Sequence, residues 1–272
     1  MQITDAQIHI WSSGTPSQDH RAVPVVTADE MLGAMDEAGV HAAIIHPPGW
    51  DPDADAVAAA AVRAHPDRFA ILGSFAPDKP ENRGLIPTWL DQPGMLGLRW
   101  APLHPHARAL FESGAMDWIW PEAERHNVPV ALLAGPVLPK FREIAERHPG
   151  LRLIIDHCGL VRLKQDEAAF VHLEELLALA RLPNVAIKAT GAPGYSTQPY
   201  PYRNLHDVLH RIYDAYGPRR FFWGTDITRM PCSWRQCVTM FTEELTWIAP
   251  ADLPWVMGEG IRTWLNWPTT SR

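Results

Sequence analysis

Asp226 closes the run Phe221-Phe222-Trp223-Gly224-Thr225, and His157 follows Leu153-Ile154-Ile155-Asp156, so each stands where an apolar run gives way to a turn. A carboxylate and an imidazole in such places can move a proton to or from water, or hold a divalent metal ion. His9 stands near the end of a third run, where a period of two puts Asp5, Gln7, His9 and Trp11 on one side. His46 and the pair Arg99-Trp100 finish two further runs, and a guanidinium is a natural grip for a substrate carboxylate. Each residue also has a plain structural alternative: a hydrogen-bonded core imidazole for His9, a turn for His157, an N-cap for Asp226, a salt bridge for Arg99. Lys188 reads as a structural ion-pair partner, and Asp5 as a tie at the base of its strand.

The elements that carry these residues repeat in one order. Strand-like runs fall at residues 3–11, 41–47, 69–75, 95–100, 129–134, 151–157, 185–190 and 220–226. Helical patterns fall at 27–39, 51–65, 116–127, 141–147, 168–181, 204–216, 235–245 and 251–267, the first opened by Thr27-Ala28-Asp29-Glu30 and stopped by Gly39. Runs such as Leu151 to Asp156 are nearly all apolar, as parallel strands covered on both faces must be. Eight strands alternating with eight helices predict an α/β fold, a single (β/α)8 TIM barrel spanning residues 1–272 with a C-terminal helix. No Gly-x-Gly-x-x-Gly follows an early strand, which argues against a dinucleotide-binding open sheet. In a barrel the strand ends converge on one mouth, so ionisable groups from separate strands can share one site.

Composition narrows the function classes. The chain has 272 residues, 46% of them apolar, enough for a sizeable core and against disorder. A net charge of −7 excludes the basic face that a nucleic-acid or membrane-surface protein needs, leaving a small molecule as the expected partner. Apolar stretches fall short of the roughly 18 residues a membrane helix needs. Three cysteines, Cys158, Cys232 and Cys237, without zinc-ribbon spacing fit a reducing, cytoplasmic compartment. A homodimer is compatible with such a barrel, and the sequence shows no diagnostic surface for one. The loops at 12–26, with His20 and Arg21, and at 191–203 read as pocket walls, the second as a substrate lid. Trp50, Trp100, Tyr195, Tyr200, Tyr202 and Trp234 are candidate aromatic walls, and Arg203 and Arg229 further anion-binding candidates.

Together Asp5–Trp11 (DAQIHIW), residues 154–159 (IIDHCG), 185–191 (VAIKATG), 221–228 (FFWGTDIT) and 257–267 (MGEGIRTWLNW) resemble the amidohydrolase superfamily, in its amidohydrolase-2 branch of lactonases and decarboxylases. The resemblance spans the chain and implies a (β/α)8 barrel with chemistry at its mouth: attack of activated water on a carbonyl, or loss of CO2. The family's first strand usually reads His-x-His; here the first position is Gln7, and an amide oxygen is a poor zinc ligand beside imidazole. A divalent metal (Zn or Mn) would then rest on His9, His157 and Asp226. Without metal, Asp226 would act as general base on water while His9, His157 and Gln7 stabilise the developing oxyanion. Gln7, Arg99, His46, Trp50, Tyr195, Tyr200, Tyr202 and Arg229 are the expected substrate contacts. The expected activity is hydrolysis of a lactone or related cyclic or ester carbonyl compound. The alternatives are a metal-dependent decarboxylase of an aromatic or unsaturated acid, and a barrel that binds a small molecule without catalysis.

Overall fold

The computed structural model describes residues 1–268; the last four of the expected 1–272 lie outside the described residues. Eight strands form one sheet in chain order: β1 (Thr4–Ile8), β2 (Ala42–Ile45), β3 (Phe69–Gly73), β4 (Met95–Trp100), β5 (Val130–Leu132), β6 (Leu153–Ile155), β7 (Val185–Ala189) and β8 (Phe221–Trp223). Each neighbouring pair is parallel, and the helices lie on the flanks, so the architecture is a (β/α)8 barrel.

The strands are apolar throughout because both faces are covered. Their inward residues form a small inner cluster that includes Ala6, Ala42, Ile44, Ala70, Leu72, Ala131, Ile154, Ala186 and Phe222. Alanines dominate it because an eight-stranded barrel leaves little room inside. The outward residues join the larger cluster beneath the helices. At the base, Ile261, Leu265 and Trp267 of the C-terminal segment pack on the inner cluster, and Arg262 Nε donates to Thr4 Oγ1 at 2.9 Å. The segment 261–267 therefore plugs the barrel opposite the mouth.

The seam between β8 and β1 is made by side chains as much as by backbone. Asp226 N–H donates to the Gln7 carbonyl at 2.8 Å. Asp5 accepts from Thr225 Oγ1 (2.6 Å), Thr225 N (2.9 Å), Gln7 N (3.0 Å) and Trp234 Nε1 (2.9 Å). A β-carbon at Gly224 would lie 2.8 Å from Ala6 N, so only glycine lets the strands approach this closely. The register of β1 against β2 shifts between Asp5 and Ile8. This irregularity overturns the simple period: Asp5 turns to the seam, while Gln7 reaches across the barrel.

The helices are α1 (Ala28–Ala38), α2 (Ala54–Ala64), α3 (Pro105–Glu112), α4 (Ile119–Arg125), α5 (Leu138–Arg147), α6 (Leu173–Leu179), α7 (His206–Tyr216), α8 (Trp234–Thr239) and α9 (Gly260–Trp264). Thr27 Oγ1 accepts from Glu30 N–H at 3.1 Å, and α1 stops at left-handed Gly39. Four expected helices differ, that at 235–245 being α8 followed by a π turn, Met240–Glu244. The segment after β4 holds two short helices, because Pro105 opens α3 and left-handed Gly114 follows its end. The helix expected at 168–181 is a 3-10 turn, Asp166–Ala169, followed by α6. The final helix is broken by a π turn, Trp255–Glu259, whose extended Gly258 presses on the start of β1, a built β-carbon lying 2.4 Å from Gln2 O.

Candidate active site

A cavity of about 610 Å³ opens where the C-terminal ends of the strands converge. His9 after β1, Arg99 on β4, His157 after β6 and Asp226 after β8 all line it, together with Trp50, Tyr195 and Arg229. The chemistry-bearing strand ends named from the sequence thus meet in one place. His157 (φ 51°) and Asp226 (φ 56°) both hold left-handed backbone, which costs a non-glycine residue about 1 kcal/mol or more each. Such strain persists only where the surroundings fix the position.

The sector between β1 and β8 collects groups with free lone pairs. His9 Nδ1–H donates to the His46 carbonyl at 2.6 Å, which turns Nε2 to Asp226 Oδ1 at 3.4 Å. His20, from the loop after β1, bonds Thr228 Oγ1 through Nδ1 at 2.8 Å. Asp226 Oδ2 faces Arg229 Nη1 (3.3 Å) and Gln7 Nε2 (3.4 Å), and Oδ1 has no hydrogen bond. Burial alone would raise the Asp226 pKa, but His9, His20 and Arg229 outweigh it and hold the carboxyl well below the usual range. Burial lowers His9 to about 3 and, with Arg229 beside it, His157 to about 4, so both rings are neutral at pH 7.

His157 is oriented by Thr190: Nδ1 lies 3.3 Å from its carbonyl and 2.8 Å from its hydroxyl. With that proton on Nδ1, Nε2 is an acceptor for Gln7 Nε2 (3.2 Å) and Arg229 Nη1 (3.4 Å). A ring in this tautomer accepts at Nε2 and is held in place by Arg229 and Gln7.

The sector of β2, β4, β6 and β7 is closed by contrast. Lys188 Nζ sits 2.8 Å from Asp156 Oδ1, 3.2 Å from His46 Nε2 and 3.4 Å from Gln7 Oε1, fully buried. Arg99 Nε donates to Asp156 Oδ2 at 2.9 Å, its only hydrogen bond among the described residues, so its Nη groups remain for a ligand. Burial would raise Asp156, yet Lys188 and Arg99 hold it ionised. Burial and Lys188 keep His46 neutral.

Several expected substrate contacts stand elsewhere. Gln7 and His46 are fully buried beneath the cavity and do not line it; they brace His157, Asp226, His9 and Lys188. In the segment at 191–203 only Tyr195 lines the cavity. Tyr200 Oη bonds Thr239 Oγ1 at 2.8 Å on α8, and Tyr202 packs edge-on against Tyr200, because these residues fold back on the barrel wall. Trp234 serves Asp5, and Arg203 pairs with Glu244 at the surface. The sequence reading placed His20 in the pocket wall but gave it no ligand role, and it passed over Asp19 and Arg162, which share that wall.

The residues fit a divalent ion, though through a different trio from the one expected. Among the described residues His9, His20 and Asp226 each offer a ligand atom, all within 4.8 Å of one another. Both imidazoles are oriented through Nδ1, and Asp226 Oδ1 is a buried acceptor without a donor. His157 lies outside this group, its Nε2 3.7 Å from Asp226 Oδ2 and occupied by two donors. No helix among the described residues is long and apolar enough to cross a membrane.

Barrel, mouth and residue order together define an amidohydrolase-type site. The amidohydrolase family model matches residues 4–269, and the chain belongs to the amidohydrolase-2 family. Three solved structures share the fold at 16–18% identity. An amidohydrolase from Burkholderia multivorans with bound zinc is 18% identical, with a TM-score of 0.83 over 98% of this chain and 100% of that one. A probable 2-pyrone-4,6-dicarboxylic acid hydrolase from Acinetobacter baumannii, with citric acid bound, is 17% identical, with a TM-score of 0.68 over 98% and 100%. A 2,6-dihydroxybenzoate decarboxylase from Rhizobium is 16% identical, with a TM-score of 0.65 over 98% and 99%. No curated protein matches the sequence.

Proposed function

We propose that this chain hydrolyses a lactone or a related cyclic or ester carbonyl compound, with His9, His20 and Asp226 holding a divalent ion. The observation that supports hydrolysis is the hydrogen bonding of the wall, in which Asp226 Oδ1 has no donor. Asp226 is held ionised, and the Nδ1 protons of His9 and His157 are committed to the His46 and Thr190 carbonyls. The ionisable groups at the β1 and β8 ends therefore face the cavity as proton acceptors. Taking a proton from water calls for an acceptor, whereas protonating a ring carbon as CO2 leaves calls for a donor.

A divalent ion in the trio supplies Lewis acidity toward a carbonyl oxygen and toward water, and zinc and manganese both suit imidazole and carboxylate ligands. The Asp226 carboxylate orients the water and accepts its proton. Arg229 keeps Asp226 ionised and, with Gln7, fixes the His157 ring. Arg99 binds a substrate carboxylate through its free Nη groups, and Trp50 and Trp100 wall a flat ring.

A panel of lactones, esters and amides assayed by a pH indicator, beside CO2 release from aromatic acids, tests the reading. Acid production from a lactone is the expected result, and Asp226→Asn should lower kcat by about 10²–10⁴-fold with the fold intact. CO2 release without lactone turnover would select the decarboxylase; no turnover on any class would select a binding protein.

A further inference from the structure

Three arginines, Arg99, Arg162 and Arg229, line the cavity, and two of them face Asp19. Arg162 donates from Nε to Asp19 Oδ2 at 2.9 Å and from Nη2 to Asp19 Oδ1. Arg229 places Nε 3.2 Å from the same Asp19 Oδ2, with Nη1 on Asp226 and His157 and Nη2 on Tyr195 at 3.5 Å. Ser17 Oγ donates to Asp19 Oδ1 at 3.0 Å and fixes the carboxylate further. Arg99 alone keeps its planar Nη pair unoccupied, across the cavity on β4.

We propose that Asp19 determines specificity: it occupies the Arg162 fork and ion-pairs Arg229, so the cavity takes a lactone with one carboxylate, held by Arg99, and disfavours one with two. This rests on the hydrolase reading above. A second carboxylate entering that side must compete with Asp19 for guanidiniums that already face a carboxylate, and like charges in a desolvated pocket repel. Asp19 reaches no reacting atom; it acts through the arginines it holds.

Two sets of measurements separate this idea from the hydrolase reading. Calorimetric binding of benzoate and of isophthalate, which differ by one carboxylate and do not react, should favour benzoate by about tenfold or more. Asp19→Asn frees both arginines and should narrow that ratio; Arg162→Gln, leaving Asp19 less neutralised, should widen it. The ratio of kcat/KM for ring lactones with one and two carboxylates should follow the binding ratio, narrowing in Asp19→Asn and widening in Arg162→Gln. Isophthalate bound as well as or better than benzoate by the wild type, or neither acid bound, overturns the proposal. So does a ratio indifferent to both substitutions. If benzoate is preferred but no lactone is hydrolysed, the specificity holds and the hydrolase reading falls. Arg162→Gln, whose side chain is partly exposed, supplies the test if Asp19→Asn does not fold.

Discussion

Two sectors of the same mouth use buried charge in opposite ways. Between β4, β6 and β7, Asp156 is matched by Lys188 and Arg99, and His46 and Gln7 take up what remains of the lysine. Between β1 and β8, two imidazoles and a carboxylate turn lone pairs toward one another, and Arg229, the one guanidinium in contact with Asp226 among the described residues, is shared with Asp19. In the first arrangement every charge faces an opposite one, Asp156 Oδ1 lying 2.8 Å from Lys188 Nζ, and the neutral His46 Nδ1 is left without a hydrogen bond, so the sector reads as structure. The second lacks a positive partner at Asp226 Oδ1 and so reads as a site. Charge within a barrel mouth is therefore no sign of function until its partners are counted.

The sharpest way to break this contrast is to remove one charge from the closed sector. Lys188→Met leaves Asp156 buried with Arg99 as its one cation and should cost about 3–5 kcal/mol in urea unfolding. Asp226→Asn should cost activity and little stability. If Lys188→Met is neutral to folding, the closed sector is not structural.

A smaller effect should follow from pH in the metal-free protein. His9 and His157 stand at about 3 and 4 when folded, below the ordinary value of 6.5, so the unfolded chain binds their protons first. Their contribution to stability is complete above about pH 6.5 and is lost as pH falls toward the folded values. Thermal melting should be flat from pH 7 to 8 and decline steadily from 6.5 to 4; a flat profile through that range contradicts the neutral, buried state assigned to both rings. The smallest effect expected is that of Tyr200→Phe, which breaks a bond to Thr239 outside the cavity and should leave kcat/KM within about twofold.

The barrel was legible because parallel strands covered on both faces leave unbroken apolar runs, and Gly39 and the Thr27 cap mark α1 as clearly in sequence as in space. His9, His157 and Asp226 were legible because they end such runs. His20 was not, because its place depends on distant contacts: Arg21 N–H on Thr228 O and Asp19 on Arg162 fold the loop over the mouth. Periodicity misled at β1, where the shifted register lets Gln7 face Lys188 while Asp5 turns away. The tyrosines at 200 and 202 look like a lid by composition alone, and only the packing against α8 places them on the wall.

Metal content separates the two candidate trios most directly. Protein purified without chelator should carry about one zinc or manganese per chain, as should His157→Ala, whereas His20→Ala should lose it. A His20→Ala protein that keeps its metal while His157→Ala loses it would contradict the assignment of His9, His20 and Asp226.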